Sequence, residues 1–200
     1  LSVRPGTRPQ KELTRDERLQ NARGAFVCHP GADLTGKRVL LVDADLRKPT
    51  VQRTFGLSNV EGLTTLLSSP EKPPSEVIQQ IVGTELHTLT SGPIPPNPSE
   101  LLNSNRMNTL MKQFEEMYDI IIYDMPPVTS VTDAQIMASK ADGVVCVVRY
   151  GVSQKDSVLN AKELLEMVNA NILGVVFNGV EKRNDQSYYG YGYTSEEATN

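Results

Sequence analysis

The chain contains no tryptophan, two cysteines and two histidines in 200 residues. Cys28 and Cys146 lack the spacing of a metal knuckle, and two cysteines cannot build a disulfide scaffold, so the composition points to a reducing cytoplasm. Cys146 lies inside GVVCVV, where it reads as a small buried side chain. No apolar run approaches the ~18 residues of a membrane span. The first ten residues, LSVRPGTRPQ, hold no signal-peptide core, and Leu1 reads as a fragment edge. Internal repeats are also absent. What remains is an ordinary soluble composition, 38% hydrophobic and 22% charged, which suits one globular domain.

The net charge of -4 hides an asymmetry. Residues 1–38 hold eight Lys/Arg against four acids, so the rest of the chain stands at -8. The basic segment reads as a solvated arm, with contact to an acidic surface or to phosphates as the other reading. No nucleic-acid partner is expected.

Four short runs rich in β-branched residues predict strands: VLLV (39–42), IIIY (120–123), VVCVV (144–148) and ILGVVF (172–177). Their apolarity is continuous rather than alternating, as in parallel sheets covered on both faces. Helical periodicity runs over Glu100–Tyr118 and Ser157–Asn169, with a shorter helix at Asp133–Ser139 and a short strand within Thr84–Leu89. The segment SGPIPPNPSE reads as a stiff loop, with Ser99 capping the next helix. Strand–helix alternation predicts a doubly wound, mainly parallel α/β domain.

Acids collect where the apolar runs stop. VLLVDAD places Asp43 and Asp45 at one strand end, and IIIYDMPP places Asp124 at another. In open α/β sheets that is the ligand-binding edge. Gathered carboxylates there suit a hydrated magnesium completed by substrate phosphates. Arg47 and Lys48 add positive charge for a phosphate or for the acids. The other reading is that each aspartate caps a following turn or helix.

VLLVDADLRKP and IIIYDMPPV resemble the second Walker motif and the Walker B motif of the bacterial tyrosine kinases of capsule and exopolysaccharide systems. The likeness continues through LTSGPIPPNPSELL, VTDAQIMASKADG, ILGVVFNGV and a tyrosine-rich terminus, from Gly36 to about Tyr193. It is nearest to the cytoplasmic Gram-positive type, in which kinase and membrane activator are separate chains. The resemblance implies a P-loop fold of the deviant-Walker type, with ATP and Mg2+ as cofactors. It makes Asp43 and Asp45 catalytic, with Asp43 near the metal and toward the tyrosine hydroxyl. Asp45 and Asp124 become magnesium ligands, while Arg47 and Asn178 bind the nucleotide, Asn178 at the adenine edge. It further implies protein tyrosine substrates, a homo-oligomer, and a membrane-bound activator of the polysaccharide co-polymerase type that holds a cytoplasmic kinase at the membrane.

One element of that family is not legible. Gly31 and Gly36-Lys37 mimic half of a phosphate loop, GxxxxGK[ST]. Such a loop runs from a strand into a helix whose amides cradle phosphate. Here Arg38 replaces the hydroxyl residue and a strand follows, so Gly36-Lys37-Arg38 reads as the turn entering that strand. GAFVC (24–28) reads as a remnant first strand, and the strand–loop–helix that should follow is missing or altered. ELTRDER (12–18) matches the family's E-x-x-R-x-x-R assembly motif in spacing, but lies too close to the Asp strand and reads as chance agreement.

The chain thus divides into an atypical basic segment (1–35), an α/β kinase domain (36–183) and a flexible tail (184–200). Tyr188, Tyr189, Tyr191 and Tyr193 lie among glycines without aliphatic partners. By resemblance they are autophosphorylation sites, each gaining about -1.5 to -2 charges when modified. Three functional readings follow: an ATP-dependent tyrosine autokinase impaired by its altered N-terminus, a non-catalytic phospho-acceptor subunit of the same system, and a partitioning-type ATPase.

Overall fold

The computed structural model describes residues 34–180, with the backbone of two short strands, β1 (Ser2–Val3) and β2 (Phe26–Val27). The β-branched runs form β3 (Val39–Asp43), β6 (Ile120–Asp124), β7 (Val144–Arg149) and β8 (Ile172–Asn178). An extended backbone accommodates their stiff side chains. Between β3 and β6 lie β4 (Gln79–Gln80) and β5 (Leu86–Leu89). The helices are α1 (Val51–Phe55), α2 (Leu63–Ser68), α3 (Pro98–Leu102), α4 (Asn105–Met117), α5 (Asp133–Ala138) and α6 (Lys155–Met167).

Sequence periodicity gave no sign of α1 and α2, which are too short to show it. The single helix expected over Glu100–Tyr118 is in fact two. Ser104 separates them, its hydroxyl accepting the Met107 N–H at 3.1 Å as the N-cap of α4. Ser99 is not a cap; it lies within α3, whose N-cap is Asn97 and whose first residue is Pro98.

The hub is β3, paired in parallel with β5 on one side and β6 on the other, in the order β4-β5-β3-β6. β7 and β8 pair in parallel as a separate two-stranded sheet. The doubly wound, mainly parallel α/β fold is therefore present, with its sheet in two pieces. β2 does not join the parallel sheet as a remnant first strand. It pairs antiparallel with β1.

Leu40 and Val42 of β3 are fully buried, and so are Met107, Leu110 and Phe114, which recur at helical spacing along one face of α4. Each such side chain contributes about 1.5–3 kcal/mol when removed from water. Cys146, expected to be buried, is only half-buried on β7.

A zipper of backbone contacts fixes the loop beyond β5. Leu63 N–H donates to the Thr90 carbonyl (2.8 Å), Thr64 N–H to the Ser91 carbonyl (2.9 Å), and Gly92 N–H to Asn59 Oδ1 (2.9 Å). The approach is so close that a Cβ on Gly62 would lie 2.2 Å from both the Gly92 nitrogen and the Thr90 oxygen. Backbone cannot yield as a flexible side chain would. Gly62→Ala is expected to destabilise the fold by about 2–3 kcal/mol, read as a lowered urea midpoint. Gly174→Ala, which meets nothing within 4 Å, should change stability by no more than about 0.5 kcal/mol. Equal effects of the two substitutions would refute this account.

Candidate active site

The register of β3 against β6 sets the site. Asp43 lies directly opposite Asp124, so two carboxylates meet where both strands end. The Ala44 N–H then donates to the Asp124 carbonyl at 3.0 Å, which extends the pairing one residue further. Asp43 is fully buried. Its Oδ2 accepts the Val51 N–H at 3.1 Å, while Oδ1 has no partner. Burial pushes the Asp43 carboxyl up to about 6, and the neighbouring Asp124 and Asp45 add to that rise against the Val51 hydrogen bond. Burial, with Asp45 beside it, also raises Asp124.

Asp45 closes the turn that follows it, as the capping reading expected. Its Oδ1 accepts the N–H groups of Arg47 (3.1 Å) and Lys48 (2.9 Å), a side-chain-closed turn. The same carboxylate remains close enough to Asp43 and Asp124 to act on both electrostatically.

Arg47 points elsewhere. Its Nε donates to Asp133 Oδ2 at 2.8 Å, and its Nη2 donates to Asp133 Oδ1 and to Ser99 Oγ, each at 3.0 Å. Ser99 Oγ in turn donates to Asp133 Oδ1 at 2.5 Å. Asp133 is fully buried. Burial alone would raise it, yet the hydrogen bonds from Arg47 and Ser99 outweigh that and hold it below the ordinary range. The guanidinium thus locks the loop after β3 to α3 and α5. Lys140, the last basic residue of VTDAQIMASK, ties α5 down in the same way, donating to the Leu102 carbonyl and to Asn108 Oδ1, each at 2.8 Å. Sequence reasoning missed both ties, although Asp133 and Lys140 lie in a stretch it had singled out.

Asn178 ends β8 in register with Arg149, and its carbonyl accepts the Tyr150 N–H at 2.8 Å. It belongs to the two-stranded sheet rather than to the aspartate cluster. Tyr188, Tyr189, Tyr191 and Tyr193, the ELTRDER stretch and Cys28 lie outside the described residues.

Gly36 adopts φ +74° in a turn closed by the Lys37 N–H to the Leu34 carbonyl at 3.1 Å, and β3 follows at once. Gly36-Lys37 therefore enters a strand and carries no helix N-terminus. Among the described residues, no group of three or more His, Cys, Asp or Glu side chains forms a metal cage. The exposed Asp124 carboxylate, with Asp45 and Asp43 beside it, nonetheless fits magnesium, which keeps several waters and takes one or two carboxylates plus phosphate oxygens.

Two curated relatives set this geometry in a family. YwqD of Bacillus subtilis, named a tyrosine-protein kinase, is 44% identical over 157 residues, 78% of this chain and 66% of its own length. CapB of Staphylococcus aureus, which also carries a tyrosine-protein kinase name, is 37% identical across 78% of this chain and 68% of its own. This chain belongs to the bacterial tyrosine-protein kinases. The chimerical protein CapA2B2 superimposes with a TM-score of 0.70 at 42% identity, over 74% of this chain and 65% of that one. McdA of Cyanothece, at 18% identity and a TM-score of 0.58, shares the fold alone. No family model matches the chain. The chain spans about two thirds of the length of its first curated relatives.

The raised Asp43 pKa makes a signed prediction. Between about pH 4 and pH 6 the folded protein holds a proton at Asp43 that the unfolded chain has released, so this group's contribution falls as pH rises through that window. Above it, the ionised buried carboxylate costs up to about 3 kcal/mol. Asp43→Asn should therefore be more stable than the parent at pH 8, and the difference should vanish near pH 4. Thermal melts at fixed ionic strength read it; a variant less stable at pH 8 overturns the assignment.

Proposed function

We propose that this chain is the body of an ATP-dependent protein-tyrosine kinase of capsule or exopolysaccharide production, with no phosphate cradle among its described residues. The observation that carries this reading is the in-register pair Asp43–Asp124, with one buried carboxylate oxygen left unpaired. Asp124 would hold magnesium, with Asp45 helping to hold or orient it from its turn and Asp43 close beside it. Bound magnesium supplies charge neutralisation for the phosphate oxygens, the main demand of phosphoryl transfer. Asp43 Oδ1 is the base: a tyrosine hydroxyl, near pKa 10 when free, needs an acceptor for its proton, and a carboxylate near 6 stays ionised yet basic at neutral pH.

The other residues take narrower roles. Arg47 positions rather than binds, since its fork is engaged by Asp133 and Ser99. Asn178 borders the adenine, and Tyr188, Tyr189, Tyr191 and Tyr193 accept phosphate on a neighbouring copy. The recruiting partner in this reading is a membrane activator supplied as a separate chain. No described helix is long and apolar enough to cross a membrane.

The Gly36-Lys37 turn favours a second reading, a phospho-acceptor subunit without catalysis of its own. That turn leads into β3, so among the described residues it offers no amide cradle for phosphate beside the three aspartates. Loss of even one preorganised donor costs about 10²–10³ in rate. The purified chain with magnesium and ATP is therefore expected to show an unshifted intact mass. An active relative added in trans should produce a ladder of phosphates, lost when the four tail tyrosines become phenylalanine. A ladder from the chain alone refutes the missing cradle, and no ladder with the relative refutes the acceptor role.

A further inference from the structure

The loops after β3 and β5 line a groove of about 640 Å³, with Lys48, Arg53, Asn59, Pro93 and Ile94 among its walls. Three of the lining residues are basic and none is acidic, although the chain as a whole carries a net charge of -4. Arg47 is committed to Asp133. Lys48 and Arg53 are exposed, and among the described residues neither forms an ion pair. Arg53 Nη2 donates to the Pro49 carbonyl at 3.1 Å, which steadies the guanidinium without neutralising it. Pro93 and Ile94 supply an apolar wall, with Ile94 65% exposed.

That wall is fixed in place. Asn59 brackets Gly92, donating from Nδ2 to its carbonyl at 3.0 Å and accepting its N–H on Oδ1 at 2.9 Å. Thr64 Oγ1 donates to the Pro93 carbonyl at 2.9 Å. A groove shaped before binding loses less to ordering, and this volume suits a few residues of peptide. The groove also adjoins the aspartates. Thr50 lines both it and the cleft that Asp124 lines, and the next residue, Val51, donates its N–H to Asp43 Oδ2.

Charge selects the occupant. Two unpaired cations beside an apolar wall call for carboxylates on a short peptide. Residues 1–33, with six Lys/Arg against four acids, have the wrong sign. Residues 184–200 hold Asp185, Glu196 and Glu197 and no Lys or Arg. Glu196 and Glu197 follow Tyr193 by three and four residues, about 10–14 Å of extended chain. A tyrosine held at the aspartates would trail these acids past Thr50 toward Lys48 and Arg53.

We propose that this groove is a specificity subsite for acidic residues that follow an acceptor tyrosine, read by Lys48 and Arg53, and that Glu196 and Glu197 are such residues. The place of the tyrosine rests on the kinase reading given above; the acid-binding groove does not.

The probes are a fluorescent peptide of residues 187–200 and its counterpart with glutamine for both glutamates. Each is titrated, without ATP, into the full chain bearing Glu196→Gln and Glu197→Gln, so that its own tail offers no competing acid. Fluorescence anisotropy should show the acidic peptide bound about five- to tenfold more tightly, as two exposed ion pairs allow. Salt at about 1 M should erase that advantage. Lys48→Gln with Arg53→Gln should abolish it, while Lys48→Arg with Arg53→Lys should keep it. Equal binding of the two peptides overturns the proposal, and so does an advantage that survives the glutamine pair. Phosphate transfer with magnesium and ATP is scored separately. Acid-dependent binding without transfer keeps the groove and removes the tyrosine from its place; transfer without acid-dependent binding keeps the kinase and removes the groove.

Discussion

Everything at the site depends on the parallel register that sets Asp43 of β3 against Asp124 of β6. Strand pairing at Val39–Ile120 through Val42–Tyr123 is anchored by buried Leu40 and Val42, and a slip of one residue would turn those side chains to the other face. The core therefore enforces the meeting of two like charges. Electrostatics alone would separate them. The hydrophobic register wins because several buried aliphatics, at about 1.5–3 kcal/mol each, outweigh a repulsion eased by raising the pKa of both groups.

The cations nearby do not relieve that repulsion. Arg47, two residues beyond Asp45, spends its planar fork on Asp133 and Ser99. Asp133 is fully buried while Arg47 is 39% exposed, so removing the guanidinium would strand a buried carboxylate. The pair fixes how the loop after β3 meets α3 and α5, which in turn carries the chain from β6 toward β7. The aspartates thus stay negative while the arginine stabilises the frame around them. This division leaves Asp43 and Asp124 side by side at the strand ends while the arginine stays with Asp133.

Much of this was legible beforehand, for physical reasons. VLLVDAD and IIIYDMPP announce themselves because a continuous β-branched run ending in acid has few other uses, and both runs became neighbouring strands. The partners of Arg47 were not legible. Its bond to Asp133 spans 86 positions, and no local period encodes it. The break at Asn103 and Ser104 was hidden because apolar spacing continues across it; only the Ser104 cap reveals it. GAFVC carries the composition of a parallel strand, yet Phe26–Val27 pairs with Ser2–Val3 instead. Composition reports that a segment favours extension, not which edge it will find.

Gly36-Lys37 shows the same limit from the opposite side. A phosphate loop works through its successor: a helix aligns several amides on one anion, whereas a strand spends its amides on its neighbours. Here the successor is β3, whose amides pair with β5 and β6.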